Sequence, residues 1–341
     1  MQDLFSLHEL LIYGTIVSAI SFFIIVYLTP KAIRTLASKG ETVQDVHKPN
    51  KPHVPRPAGP ILLLGITAAE ITLYFLTLNT KVIAILFTTV IAFIIGFIDD
   101  KKVMPGWFKP IALIAAAIPI IIFVAHSSHL NLIFGDAFIP LLYIPLILII
   151  IPIAGNTINS IDVLNGVASG FIIITMIPLL ISIAIFGTNV VFLSALPLFF
   201  GMIALYKYHK FPSKIFPGDS GTLLIGAMYG AIAIAGNSEI IAVIALLPAV
   251  MNSFLFLSSV KKIIEHRQVK SRPTFLMDDF KLMASNEKNA PITLLRLMLA
   301  EGPLSEKEIC HQIFKLAIFS SFLALISIII QYHFLLGVIP K

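Results

Sequence analysis

The chain has 341 residues, of which 57% are hydrophobic and only 12% charged, with a formal net charge of +6. A soluble domain carries about 25% charged residues. With a mean hydropathy of +0.95, the apolar surface is too large to close inside a water-soluble globule, and a pair of soluble domains of the kind this length would otherwise imply is excluded. The single cysteine, Cys310, excludes an internal disulfide framework and reads as a passive thiol.

A bilayer span needs roughly 20 mostly apolar residues. The sequence predicts ten, over residues 10–29, 60–78, 81–98, 109–125, 137–154, 167–186, 189–206, 221–236, 238–259 and 313–335. The expected fold class is therefore all-α, a polytopic membrane helix bundle. It is expected to form one transmembrane catalytic domain over 1–341, with 260–312 as a long cytoplasmic loop within it. The first stretch, Leu10 to Leu28, is followed by Lys31 and Arg34 and preceded by no basic run, so it reads as a first span and not as a cleaved leader. Spans two and three turn tightly around Asn79, and spans eight and nine around Asn237. Ten spans put loops 30–59, 99–109, 155–166, 207–220 and 260–312 on one side. Counting Lys315 at the edge of the last loop, all 24 Lys and Arg except Lys81 and Lys341 lie there. Basic residues favour the cytoplasmic side, so these five loops are expected to face the cytoplasm.

The first such loop, Asp45 to Gly59, carries Lys48, Lys51, His53 and Arg56 among prolines. Such a stretch can grip phosphates or rest on anionic lipid. Span three ends in Asp99-Asp100. Two adjacent carboxylates at a membrane helix end are costly unless neutralised, and Mg²⁺ suits carboxylates combined with substrate phosphates. A helix end that simply meets water is the plainer reading. In the third loop Asn156, Asn159 and Asp162 recur every three residues, and Asn165-Gly166 follows. On a helical turn the three share a face suited to a base, ribose or sugar hydroxyls, although Asn and Asp also serve as caps and turn residues. The fourth loop ends in Phe216-Pro217-Gly218-Asp219-Ser220-Gly221. Asp219 stands where a helix should begin, as an N-cap or at an N-terminus whose free amides could take a metal-bound phosphate. No P-loop pattern occurs. The long loop 260–312 opens on His266-Arg267 with Arg272 nearby, and Pro291 to Ala300 has helical apolar spacing stopped at Gly302-Pro303.

In this order the motifs resemble the polyprenyl-phosphate N-acetylhexosamine-1-phosphate transferase family. The matching elements are Asp45 to Gly59, Asp99-Asp100 with Lys109 downstream, Asn156-x-x-Asn159-x-x-Asp162-x-x-Asn165-Gly166, Phe216-x-Gly218-Asp219-Ser220-Gly221 and the His266-Arg267 region. The ordered set covers nearly the whole chain. His266-Arg267 in place of a His-rich run, and Ala290 to Arg296 followed by Gly302-Pro303, resemble the archaeal and eukaryotic branch that starts dolichol-linked glycan assembly. The lack of a longer insert inclines toward an archaeal member. Val163, Pro60 and Asn165 depart from the commoner family pattern.

The resemblance implies ten spans and five cytoplasmic loops. It also implies an integral multi-pass enzyme facing the cytoplasm, in the cell membrane if archaeal or the endoplasmic reticulum if eukaryotic. The implied donor is UDP-N-acetylglucosamine and the implied acceptor dolichyl phosphate, with UMP released. Another UDP-N-acetylhexosamine or undecaprenyl phosphate is the alternative. Mg²⁺ is the implied cofactor, with Mn²⁺ as an alternative ion. Asp100 and Asp219 are expected to bind the metal, and Asp99 to orient or deprotonate the acceptor phosphate. Lys109, His266 and Arg267 are expected to meet phosphate or sugar, with Lys51 and Arg272 assisting. Asn156, Asn159, Asp162 and Asn165 are expected on the donor side. The partners are these substrates and membrane lipid, with no nucleic acid, and a homodimer is compatible with the pattern. A cation-coupled transporter is the rival of another class, and it should place acids near the midplane, where only Glu70 stands. A CDP-alcohol phosphotransferase needs a denser Asp pattern than the chain has. A lipid-binding scaffold leaves the ordered acids unexplained.

The charge asymmetry generates a direct test. A cysteine introduced at Ser271 should react with an impermeant thiol reagent only from the cytoplasmic side, and one at Ser128 only from the opposite side. Reaction of both from one side would refute the ten-span arrangement.

Overall fold

The computed structural model describes residues 5–48, 50–124, 128–262, 269 and 271–335. Helix dominates, at 71% of the described residues. The helices are α1 (Leu7–Ser38), α2 (Gly59–Thr77), α3 (Thr80–Lys101), α4 (Phe108–Phe123), α5 (Pro140–Ile161), α6 (Val167–Phe186), α7 (Asn189–His209), α8 (Gly218–Ala235), α9 (Glu239–Ala245), α10 (Leu247–Val260), α11 (Leu294–Met298) and α12 (Glu306–Leu335). Eight are long and apolar enough to cross a membrane. The α9–α10 pair adds a ninth crossing if counted as one span, and α4 is a shorter apolar helix. The chain is thus an all-α, multi-pass membrane bundle.

The expected spans all correspond to helices, with four differences of physical origin. Residues 137–154 shift to α5, which runs on through Asn156 and Asn159 to Ile161, so the polar motif is a continuation of the helix. Residues 238–259 are not straight: α9 and α10 meet at a 70° bend. Pro248 in the first turn of α10 has no N–H to donate back across the break. The last helix begins at Glu306, seven residues before the expected span. Finally, α1 overruns its span and carries Lys31 and Arg34 on its own surface, where the long basic side chains can reach polar surroundings from a helix.

Six short strands lie outside the all-helix expectation. They form antiparallel hairpins, β1 (Thr42–Gln44) with β2 (His53–Pro55), β3 (His129–Leu132) with β4 (Gly135–Phe138), and β5 (Thr274–Leu276) with β6 (Leu282–Ala284). Strands this short carry little hydrophobic period, so the sequence gives them no signal. Within the long loop, only Leu294–Met298 of the expected apolar helix is helical, started by Thr293, whose hydroxyl accepts from the Arg296 amide at 3.1 Å.

Helix α8 is the axis of the bundle, with every residue from Gly218 to Ala235 buried. Small residues allow this, because without large side chains neighbouring backbones approach closely. A Cβ on Gly226 would stand 2.7 Å from the Cα of Gly155 on α5. A Cβ on Gly96 of α3 would stand 2.5 Å from the Cα of Ser220. The C-terminal ends of α3, α5 and α7 and the N-terminal ends of α4, α6 and α8 therefore gather at one face.

Gly96→Leu should force α3 away from α8. Overpacking of this kind costs about 2 kcal/mol, and the expected outcome is a lower thermal midpoint in detergent together with loss of activity. Wild-type stability would show that the helices separate without cost.

Candidate active site at the charged-loop face

Asp99 and Asp100 occupy the last turn of α3, but they point to different partners. Asp99 is 1% exposed. Its Oδ1 accepts from the Met104 amide at 2.9 Å, and its Oδ2 pairs with Lys109 Nζ at 3.0 Å. Lys109 sits at the start of α4, itself buried, and reaches Asp219 Oδ2 at 3.5 Å as well.

Asp100 caps α8 from outside that helix. Its Oδ1 accepts from the Asp219 amide at 2.8 Å and its Oδ2 from the Ser220 amide at 2.9 Å. This is the place where negative charge best complements the unsatisfied amides and dipole of a helix N-terminus. The expectation that these amides stand free for a phosphate is corrected here: a neighbouring helix already occupies them. Asp219 is not the cap residue either, since the helix begins at Gly218 with Pro217 before it.

Asp219 is instead the convergence point. Its Oδ1 accepts from Asn159 Nδ2 at 2.6 Å, and the same amide reaches Thr222 Oγ1 at 2.7 Å. Its Oδ2 accepts from Arg56 Nη2 at 3.1 Å, and that nitrogen also donates to Asp100 Oδ1 at 2.8 Å. Burial disfavours the Arg56 charge, but Asp219 and Asp100 outweigh it and hold its pKa above the usual arginine value.

A cavity of about 730 Å³ opens on this cluster. Arg56, Lys109, Asn159, Asp162 and Asp219 contribute to its floor, and Arg272, Phe275 and Leu276 of the β5 region to another wall. Asp162 follows the last turn of α5, with Oδ1 accepting from the Ala168 amide at 3.3 Å and lying 3.6 Å from His209 Nε2. Burial pushes the Asp162 carboxyl up to about 7.

The structure brings most of the anticipated residues together and separates others. Asp99, Asp100, Lys109, Asn159 and Asp219 form one cluster, while Asp162, Asn165 and Arg272 line the cavity beside it. Asn156 turns back along its own helix and donates to the Pro152 carbonyl at 2.8 Å. Lys51 is exposed on the turn between β1 and β2. His266 and Arg267 lie outside the described residues. Arg56 is the residue that the sequence reading did not single out. It stood in a basic stretch without a spacing signal, and only the return of β2 to the start of α8 gives it partners, through Phe216 N to Pro55 O at 3.0 Å.

A second charged cluster lies at the cavity edge. Asp45, His47 and Glu306 offer ligand atoms within 4.8 Å of one another. Lys48 already supplies the cation: it pairs with Asp45 at 3.2 Å and directly with Glu306. Asn165 completes this latch. Its backbone N–H donates to Glu306 at 2.9 Å, its Nδ2 to Asp45 at 3.1 Å, and its Oδ1 accepts from the Ser213 amide at 2.6 Å. The latch therefore ties the β1–β2 turn, the α5–α6 loop, the loop before α8 and the start of α12.

A divalent cation can be tested against the main cluster. Three carboxylates, Asp99, Asp100 and Asp219, face two basic side chains, Arg56 and Lys109, leaving a net negative charge. Asp99 Oδ2 is buried, pairs with Lys109 Nζ at 3.0 Å, and its carboxyl meets that of Asp219. Hard oxygen donors with an excess of charge fit a divalent cation.

Comparison with known proteins follows the same lines. The profile of glycosyl transferase family 4 matches residues 82–237. Over 267 residues the chain is 29% identical to a protein of Saccharolobus solfataricus provisionally named UDP-N-acetylglucosamine–dolichyl-phosphate N-acetylglucosaminephosphotransferase, covering 76% of this chain and 83% of that relative. It is 29% identical over 289 residues to a provisionally named glycosyltransferase of Methanocaldococcus jannaschii, covering 84% and 87% of the two chains. It is 28% identical over 247 residues to the phospho-N-acetylmuramoyl-pentapeptide-transferase of Staphylococcus haemolyticus, covering 66% and 77%.

Asn165→Ala would take a donor from the buried Asp45 carboxylate and an acceptor from the part-buried Ser213 amide. A buried group left unpaired costs about 1–3 kcal/mol, so thermal stability should fall by about that amount, read by a melting curve in detergent. An unchanged melting curve would show that water or a neighbour replaces the amide.

Proposed function

We propose that this chain, a member of glycosyl transferase family 4 of the archaeal and eukaryotic polyprenyl-phosphate N-acetylhexosamine-1-phosphate transferase type, transfers N-acetylglucosamine 1-phosphate from UDP-N-acetylglucosamine to a dolichyl-type polyprenyl phosphate, releasing UMP. The observation that carries the reading is the convergence of Arg56, Lys109 and Asn159 on Asp219 at the membrane edge, beside a cavity wide enough for a nucleotide sugar. Two anionic substrates must meet there, one water-soluble and one lipid-anchored. A charged cluster at the ends of membrane helices is accessible to both.

In the proposed reaction an oxygen of the acceptor phosphate attacks the β-phosphorus of the donor, and the bond from that phosphorus to the UMP oxygen breaks. A phosphate monoester has a second pKa of about 6, so the nucleophile is largely ionised at neutral pH. Positioning then matters more than deprotonation. Lys109, held by Asp99, is placed to receive phosphate charge. Arg56 offers a planar fork for the diphosphate. Asn159 and Asp162 line the cavity from the end of α5 and suit the nucleotide side of the donor, and Arg272 lines the same cavity. Asp219, supported by Asp100 and Asp99, is the group that would hold Mg²⁺ or Mn²⁺, which when bound offsets the charge that develops on the leaving UMP. The prenyl chain would lie between helices, open to lipid. The loops that carry the cluster are the basic ones, which supports a reaction at the cytoplasmic face.

Two measurements test this reading. Purified protein given a panel of UDP-sugars and polyprenyl phosphates should form a lipid-linked sugar diphosphate and UMP with UDP-N-acetylglucosamine and a dolichyl-type acceptor. Absence of UMP release with every pair would refute the transfer. Asp219→Asn keeps the shape of the side chain and removes the charge. Turnover should fall by about 10²-fold or more, as for loss of a principal electrostatic group, while the variant stays folded in detergent. Wild-type turnover at low Mg²⁺ would remove Asp219 from the role.

A further inference from the structure

Both oxygens of Asp219 are already engaged by the protein. Asn159 holds Oδ1, and Oδ2 takes Arg56 at 3.1 Å and Lys109 at 3.5 Å. A divalent cation that uses Asp219 Oδ2, the oxygen that shares Lys109 with Asp99 and Arg56 with Asp100, must therefore displace a basic group from it or share the oxygen with it against charge repulsion. The two basic groups are not equally free to leave. Lys109 is 8% exposed and fixed by the buried Asp99 at 3.0 Å. Arg56 is 23% exposed, lines the cavity and hangs from a loop rather than a helix. Asp100, its other partner, keeps the Asp219 and Ser220 amides at the α8 N-terminus and so stays compensated if Arg56 moves.

We propose that Arg56 is an exchangeable counter-cation: it closes the Asp100–Asp219 pair, yields Asp219 Oδ2 to a divalent cation, and turns its guanidinium to the diphosphate of the donor. This rests on the reading of the site as a nucleotide-sugar phosphotransferase and adds a role for a residue of the Asp45 to Gly59 stretch to which the sequence assigned none. The arrangement has a functional consequence. Cation and diphosphate bind better together than either alone, because the diphosphate takes up the positive charge that the cation releases.

The signature is a pair of effects of opposite sign. In detergent and without nucleotide, Mn²⁺ binding is followed by electron paramagnetic resonance. Arg56→Gln removes the competing charge, so Mn²⁺ should bind about tenfold more tightly than to wild type. With Mg²⁺ saturating, UDP binding measured by calorimetry should be about tenfold weaker in the same variant, because a charge-assisted fork is lost. Unchanged or weaker Mn²⁺ binding would overturn the competition, and unchanged UDP affinity would overturn the transfer to diphosphate. A group that serves only to hold the loop would weaken both ligands together. Should Arg56→Gln fail to fold, Arg56→Lys retains the charge without the fork. Its Mn²⁺ affinity should stay within about twofold of wild type while UDP binding weakens. Wild-type UDP affinity in that variant would refute the proposal. If wild type itself bound no UDP, the reading of the function would fall and the diphosphate half of the proposal with it, while the Mn²⁺ comparison would still decide whether Arg56 competes for Asp219.

Discussion

Three carboxylates buried at the edge of a membrane bundle must be neutralised, and the rest of the site is arranged to do it. Charge at such a position is expensive unless it meets opposite charge or hydrogen-bond donors. Each acid finds a different solution. Asp99 takes an ammonium and an amide, Asp100 takes a helix N-terminus and Arg56 Nη2, and Asp219 shares that nitrogen and adds Lys109 and an amide side chain. Because adjacent residues Asp99 and Asp100 face different neighbours, the pair acts as a joint between α4 and α8 as well as a reservoir of negative charge.

That joint depends on close backbone approach. Asp100 can reach the first amides of α8 because Gly96, one turn earlier, lets α3 lie against Ser220. On the opposite flank Gly226 and Gly155 let α5 approach, which sets Asn159 beside Asp219. The small residues of α8 thus serve the chemistry through distance alone. In hydrocarbon, where helices gain little by hiding apolar surface, such packing contacts are a main source of association.

The polar segments outside the bundle are organised by a second network of the same kind. Lys48, Asp45, Asn165, Ser213 and Glu306 join three loops and the start of α12 through ion pairs and hydrogen bonds. Removing one partner of such a network is costly because the others are left uncompensated. The latch fixes the loop that leads into Gly218 and so couples the far end of the chain, at α12, to the Asp99–Asp100–Asp219 cluster.

Much was legible before any coordinates. The ten apolar stretches declare themselves by length, because a bilayer demands about 20 apolar residues per crossing. Asp99, Asp100, Asn159 and Asp219 were marked by spacing and order, since polar side chains at helix ends in so apolar a chain stand out, while Lys109 was marked by the family resemblance. Three features were decided by tertiary structure alone. Arg56 gained its place only when β2 folded back onto the start of α8, a contact between residues far apart in the chain. Asn156 and Asn159 share a helical face, yet one bonds back to Pro152 and the other reaches Asp219, because periodicity fixes a direction and not a neighbour. The free amides expected at Gly218 to Ser220 proved to be capped by Asp100. A one-dimensional pattern tells which residues can carry charge across a helix end; which charges meet depends on how closely the helices pack, and that is set by glycines whose meaning appears only when two backbones touch.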